Sequence, residues 1–200
     1  VVIGVAGGIA SGKSAASECF AELGCVVIDS DKEARALLTR GDIKRELVSW
    51  WGNDILTADG EIDRSAVARI VFTDETERKR LEGLTHPLLR TNRERVKAMA
   101  RERGAPGVVL DAPLLFEAGL DKECDAIVFV DTPREVRLAR VREKRGWDEA
   151  ELDRREKSQW PLEQKRSRSD YVVRNDQGKA SLREAIARIL DDILTRRTKV

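Results

Sequence analysis

Histidine is nearly absent from this 200-residue chain, His86 being the only one. That leaves imidazole-based triads and multi-histidine metal sites with almost nothing to work with. Cysteine is scarce too. Cys19, Cys25 and Cys124 are odd in number and form no C-x-x-C pair. Neither a disulfide framework nor a zinc site is indicated, and the thiols read as small buried fillers in a reducing cytoplasm. No apolar run approaches the ~20 residues that cross a bilayer. The opening Val1–Ala6 meets glycines with no charged stretch before it, so we expect neither a membrane span nor a signal peptide. The first residue is not Met, and an initiator or a few leading residues are expected to precede it. Excess charge is missing as well: 37 Lys+Arg stand against 36 Asp+Glu, a net charge of +1. A polyanion such as duplex DNA meets no global attraction, and any basic site must be local. Chemistry therefore falls to carboxylates, cations and backbone amides.

What is present is a chain that should fold. Hydrophobic residues make up 41% and charged residues 36%, enough apolar material for one core with insertions. Short Val/Ile-rich runs alternate with longer amphipathic stretches. Val1–Ala6, Val26–Asp29, Val108–Asp111 and Ile127–Asp131 have the near-continuous apolar character of strands covered on both faces of a parallel sheet, and Tyr171-Val172-Val173 suggests a fifth. Three runs end in aspartate, Asp29, Asp111 and Asp131. Ligands of open α/β sheets gather beyond the carboxyl ends of the strands, so these acids are expected along one rim. The interval from Ala34 to Gly104 reads as successive helices, with Ile43, Leu47, Trp50 and Trp51 at helical spacing and the two tryptophans as packing anchors. Ser181–Arg196, with Leu182, Ile186, Ile189, Leu190 and Ile193, reads as a terminal packing helix. Arg134–Arg168 carries 12 Lys+Arg against 8 Asp+Glu. Composition alone makes it a solvated helix face, whereas its place after a strand and the turn Asp131-Thr132-Pro133 suits a functional role.

The sharpest signal is Gly7-Gly8-Ile9-Ala10-Ser11-Gly12-Lys13-Ser14, which matches G-x-x-x-x-G-K-[ST] between a β run and an amphipathic helix over Ala15–Leu23. Glycines let backbone N–H groups converge on phosphate oxygens, and the following helix dipole adds to the attraction. Lys13 is expected to reach the β/γ-phosphates and the Ser14 hydroxyl to bind Mg²⁺. The chain contains no N-K-x-D for guanine. Asp111 is followed by Ala112-Pro113 rather than by a glutamate that would activate water. Transfer to a bound acceptor is favoured over switching or hydrolysis. Asp31, two residues beyond Asp29, is the candidate base for an alcohol acceptor. Spacing leaves open its use as an N-cap for the helix starting at Lys32.

Taken together, the P-loop, Asp29-Ser30-Asp31 with Ala34-Arg35, His86-Pro87-Leu88, Asp111-Ala112-Pro113-Leu114-Leu115-Phe116-Glu117 and Asp170–Val173 with Asn175 resemble dephospho-coenzyme A kinase in order and spacing, from about Val1 to Leu190. The resemblance implies transfer of the ATP γ-phosphate to the ribose 3′-hydroxyl of dephospho-CoA, giving CoA and ADP in the last step of CoA synthesis. It implies an α/β fold: a P-loop-type five-stranded parallel sheet flanked by helices, with core about 1–33 and 105–200, a helical substrate-binding insertion about 34–104 and a lid about 140–165. By position, Asp31 looks like the base, while Gly8, Ala10, Ser11, Gly12, Lys13, Ser14 and Ala15 look like the ATP cradle, with Ser14 as Mg²⁺ ligand. Arg35, His86, Leu114 and Glu117, with Asp31, fall on the acceptor side. Arg140 is similar to a lid arginine that closes over the phosphates, and Asn175 approaches adenine or is only a turn residue. His86 is open to a capping or packing role, and Glu117 to simple pairing with a surface cation. The departures are Ala15 for the usual threonine, Arg137 for a common glutamine, and Lys144-Arg145 where an arginine and an acid are usual. Expected partners are ATP and dephospho-CoA, with no nucleic acid, membrane or obligate protein partner, and the expected location is cytoplasmic. Alternative readings are a nucleoside or nucleotide kinase and a P-loop ATP-binding regulator.

Overall fold

In the computed structural model, which describes residues 1–198, the five apolar runs form one sheet. Strands β1 (Val2–Gly7), β2 (Val26–Asp29), β3 (Val108–Asp111), β4 (Ala126–Asp131) and β5 (Tyr171–Arg174) lie in the order β2-β3-β1-β4-β5. Every pairing is parallel. Parallel neighbours need crossover connections, and helices supply them. Central β1 and β3 are buried almost throughout, as their unbroken apolar character requires. Edge strand β5 alternates instead, with Val173 buried and Val172 exposed.

The helices are α1 (Lys13–Glu22), α2 (Ser30–Leu38), α3 (Gly41–Trp51), α4 (Arg64–Thr73), α5 (Glu75–Glu102), α6 (Arg134–Arg145), α7 (Glu149–Glu156), α8 (Leu162–Ser167) and α9 (Lys179–Thr198). They belong to two compact units, one of Val1–Asp29 with the chain from Lys97 onward, the other of Ser30–Val96. In the first unit Ala16, Cys19 and Phe20 of α1 and Leu182, Ile186, Leu190 and Ile193 of α9 pack on Ile3, Val5, Val109 and Val128 of the sheet. The apolar spacing of the last stretch is therefore that of a helix against a core.

The second unit has its own core of Leu37, Ile43, Leu47, Ile55, Ala66 and Val67. Trp50 and Trp51 pack against it and edge to face with each other, their ring centroids 5.7 Å apart. Their indole N–H groups donate to Glu46 and Glu77. Both are packing anchors. Only the isolated bridge Leu56–Ile62 interrupts the helical character of this unit. His86-Pro87 does not open a helix, because α5 runs through it from Glu75 to Glu102. Pro87 lacks the N–H that would bond the carbonyl of Gly83, yet the turns on either side carry the helix past it. Among the described residues, no helix is long and apolar enough to cross a membrane.

Candidate active site

The chain leaves β1 at Gly7, turns, and enters α1 at Lys13, so the phosphate loop stands at the carboxyl end of a central strand. No side chain caps the start of α1 and no acid occupies its first turn. Its N–H groups and the positive end of its dipole are thus left for an anion. Ala10 holds φ of 58°, the one positive value outside glycine among the described residues. Such backbone costs of order 1–2 kcal/mol and persists where the surroundings dictate it.

Those surroundings are specific. The Ser11 carbonyl accepts from three side chains: Thr132 Oγ1 at 2.8 Å, Asn175 Nδ2 at 2.8 Å and Arg140 at 3.2 Å. Arg140 also donates to the carbonyls of Ala10 at 3.1 Å and Asn175 at 2.9 Å. Asn175 is buried, and its own N–H bonds the Asp131 carbonyl at 2.9 Å. It leans so close that a Cβ on Gly12, at φ of 91°, would lie 2.0 Å from its Nδ2. Only glycine fits there. Asn175 is thus a buried strut of the loop rather than a bare turn residue, and the Arg140 guanidinium is spent on loop carbonyls. Arg137, where glutamine was the expected residue, is buried too, pairing with Glu156 and donating to the Thr132 and Ile9 carbonyls.

Lys13 reaches back over the loop, its Nζ bonding the carbonyls of Gly8 at 3.0 Å and Gly7 at 3.2 Å. Ser14 is exposed at the start of α1, and Ala15 follows half-buried. Asp111, last in β3, is in register with Asp29, last in β2. Burial pushes the Asp111 carboxyl above the usual range; the hydroxyls of Ser17 and Ser14 and the Lys13 ammonium pull it back, while Asp29 raises it further. The third rim acid, Asp131, stands apart from these two and faces Arg166 of α8 at 3.7 Å. It lines a cavity of about 70 Å³ with Gly8, Ser11, Arg137 and Leu162. Among the described residues no three His, Cys, Asp or Glu side chains gather to hold a metal. A hydroxyl beside a carboxylate suits Mg²⁺, which keeps most of its waters and takes further oxygens from phosphates.

Asp31 and Arg35 are exposed and lie four residues apart on one face of α2. The helix starts at Ser30, so Asp31 lies inside its first turn and the capping alternative falls away. Exposed His86, in the interior of α5, cannot cap either. Leu114, in the loop after β3, is 44% exposed. Glu117 in the same loop is paired, but with a buried cation: Lys165 Nζ lies 2.8 Å from its Oε1. Thr132 and Lys165 carry structural weight at the site that spacing did not reveal. A threonine before proline and a lysine amid twelve cations offer no signal of their own.

Similar proteins match nearly the whole chain. The dephospho-CoA kinase family model matches residues 1–181, from β1 into α9. The dephospho-CoA kinase of Geobacillus kaustophilus is 41% identical over 191 residues, covering 95% of each chain. That of Geobacter sulfurreducens is 41% identical over 176 residues, 88% of this chain and 89% of its own. Among solved structures, TT1252 from Thermus thermophilus superposes with a TM-score of 0.82 at 33% identity, covering 96% of both chains. Dephospho-CoA kinase from Campylobacter jejuni gives 0.70 at 26%, covering 98% of both. With a phosphate loop at the head of a β2-β3-β1-β4-β5 sheet and relatives that match nearly all of its length, the chain belongs to the dephospho-CoA kinase family.

Proposed function

We propose that this enzyme transfers the γ-phosphoryl group of ATP to the ribose 3′-hydroxyl of dephospho-CoA, using Mg²⁺, in the cytoplasm. The observation that carries the reading is the phosphate loop, held in shape by Thr132, Arg140 and Asn175 in a chain whose family phosphorylates this acceptor. Backbone N–H groups from Gly8 to Ala15 would bind the phosphates, and Lys13 would give up its two loop carbonyls to follow the transferring group. Ser14, with Asp111 behind it, would hold Mg²⁺, whose charge offsets that gathering between the β- and γ-phosphates when it is bound. Asp31 would accept the proton of the 3′-hydroxyl, for which an exposed carboxylate is competent. Arg35, His86 and Leu114 are proposed for the acceptor. Arg140 would act from behind the loop, keeping its amides aimed. The test supplies ATP and Mg²⁺ with dephospho-CoA, uridine or AMP in separate reactions and follows ADP. We expect ADP and CoA with dephospho-CoA only; turnover confined to uridine or AMP would overturn the assignment.

A further inference from the structure

Glu117 has more fastened to it than an acceptor contact would require. Its Oε1 forms an ion pair with Lys165 Nζ at 2.8 Å and accepts the backbone N–H of Trp160 at 2.8 Å. Lys165 is 1% exposed and donates to Gln159 Oε1 at 3.2 Å. A lysine so far from water is tolerated opposite a negative charge, and removing one partner strands the other. Beside the pair, the Phe116 and Trp160 rings stack with centroids 5.8 Å apart and 11° between planes. Arg168 lies over Trp160 at 5.0 Å. One carboxylate and one ring pair thus tie the chain from Gln159 through α8 to the loop after β3.

Helix α8 in turn covers the phosphate loop. A Cβ on Gly8 would come within 3.1 Å of a Leu162 methyl, and Leu162 lines the small cavity with Gly8 and Ser11. Spanning only Leu162–Ser167, with no side-chain cap at its start, α8 is too short to hold its place by helical stability. Its place depends on what it is fastened to.

We propose that Glu117 is a positioning residue, which through Lys165 and the Trp160 N–H keeps α8 over the phosphate loop and so keeps water from the transferring phosphoryl group. The proposal rests on the kinase reading above. In transfer, the bond from the γ-phosphorus to the ADP oxygen breaks, a bond to the acceptor 3′-oxygen forms, and the hydroxyl proton leaves to a base. When water takes the acceptor's place the same bond breaks, and ADP and inorganic phosphate result. The two nucleophiles compete for one phosphoryl group, so the ratio of phosphate to CoA reports water exclusion and does not depend on how much enzyme is folded.

The experiment assays the wild type, Glu117→Gln, Lys165→Met and the double variant with ATP, Mg²⁺ and dephospho-CoA, measuring phosphate and CoA in one reaction. Each single variant should raise the ratio about tenfold, with the double no worse than the larger single because the two groups act as one unit. KM for dephospho-CoA should stay within about twofold of wild type, since uniform substrate binding is untouched. Glu117→Asp keeps the charge on a shorter arm and should fall between. It also carries the test with Glu117→Gln if Lys165→Met does not fold. Unchanged ratios, or a KM for dephospho-CoA raised by Glu117→Gln and not by Lys165→Met, would make Glu117 something else. A wild type that forms no CoA overturns this proposal and the kinase reading together, whereas unchanged ratios beside an active wild type overturn this one alone.

Discussion

Asp31 and Arg140 make separate demands on chemistry, and single substitutions tell them apart. Asp31→Asn removes a proton acceptor from an exposed position in the first turn of α2. We expect unchanged ATP binding and kcat lower by ~10²–10⁴-fold, at the small end if the transition state is loose. Wild-type turnover would remove Asp31 from the chemistry. Arg140→Ala takes donors from the carbonyls of Ala10, Ser11 and Asn175, and kcat/KM should fall by at least ~10²-fold with the fold retained. Arg154→Ala is the matched control. That side chain is 77% exposed and paired with Glu151 one turn away on α7. Its kinetics should not move, as is usual for surface ion pairs. Equal small effects would return α6 and α7 to a merely solvated role. At Cys124, burial first and then the acids Glu123 and Asp121 push the thiol up from 9.0 to about 12. Because the folded value is raised, no stability is lost below pH 9. Above it the unfolded thiol ionises while the native one does not, and stability falls toward pH 12. Cys124→Ala should make that alkaline slope shallower, as read by urea midpoints at successive pH values. An identical slope would mean that Cys124 is not its source.

At the scale of elements, periodicity and punctuation disclosed most of the fold because the forces behind them are local. Strands buried on both faces must be apolar throughout, so β1, β3 and β4 were plain in the sequence; edge strand β2 is only half-buried despite its apolar run, and the glycine-rich turn into α1 announced itself by residue type. Long-range partners announce nothing. Asn175 reads as a turn residue until the fold brings it from beyond β5 to the Ser11 carbonyl, and Lys165 looks like any surface cation until it is seen buried against Glu117. His86-Pro87 misleads for the opposite reason. Proline disfavours helix in the residue before it, but this is a bias that tertiary packing of Leu84, Leu88 and Leu89 into the second core outweighs. Helix α5 therefore carries a proline at its interior, which ordinarily costs ~3 kcal/mol against alanine. Pro87→Ala should stabilise the protein by about 1–3 kcal/mol in thermal unfolding. It should also change kinetics with dephospho-CoA, since residues kept against their propensity tend to serve function. A lower melting temperature would show that the ring of Pro87 packs productively.

For the whole molecule, composition excluded more than it assigned. A net charge of +1 says only that anion recognition must be local, and the phosphate loop concentrates it in eight residues from Gly7 to Ser14. Assignment came from the order in which motifs recur along the chain, which no balance of charges contains. The bracing of that loop has a consequence for speed. The Ser11 carbonyl is held by groups from the turn after β4, α6 and the turn after β5, so the cradle takes its form from the protein and not from its ligand. A nucleotide then arrives at a finished surface, and little backbone entropy remains to be surrendered when it docks. Association should accordingly be a single step. In stopped flow, the observed rate should climb in proportion to ATP concentration with no plateau, at the 10⁵–10⁷ M⁻¹s⁻¹ or so of unhindered encounters. In Arg140→Ala, where one of the three braces is gone, the same trace should bend toward a ceiling set by the loop finding its shape.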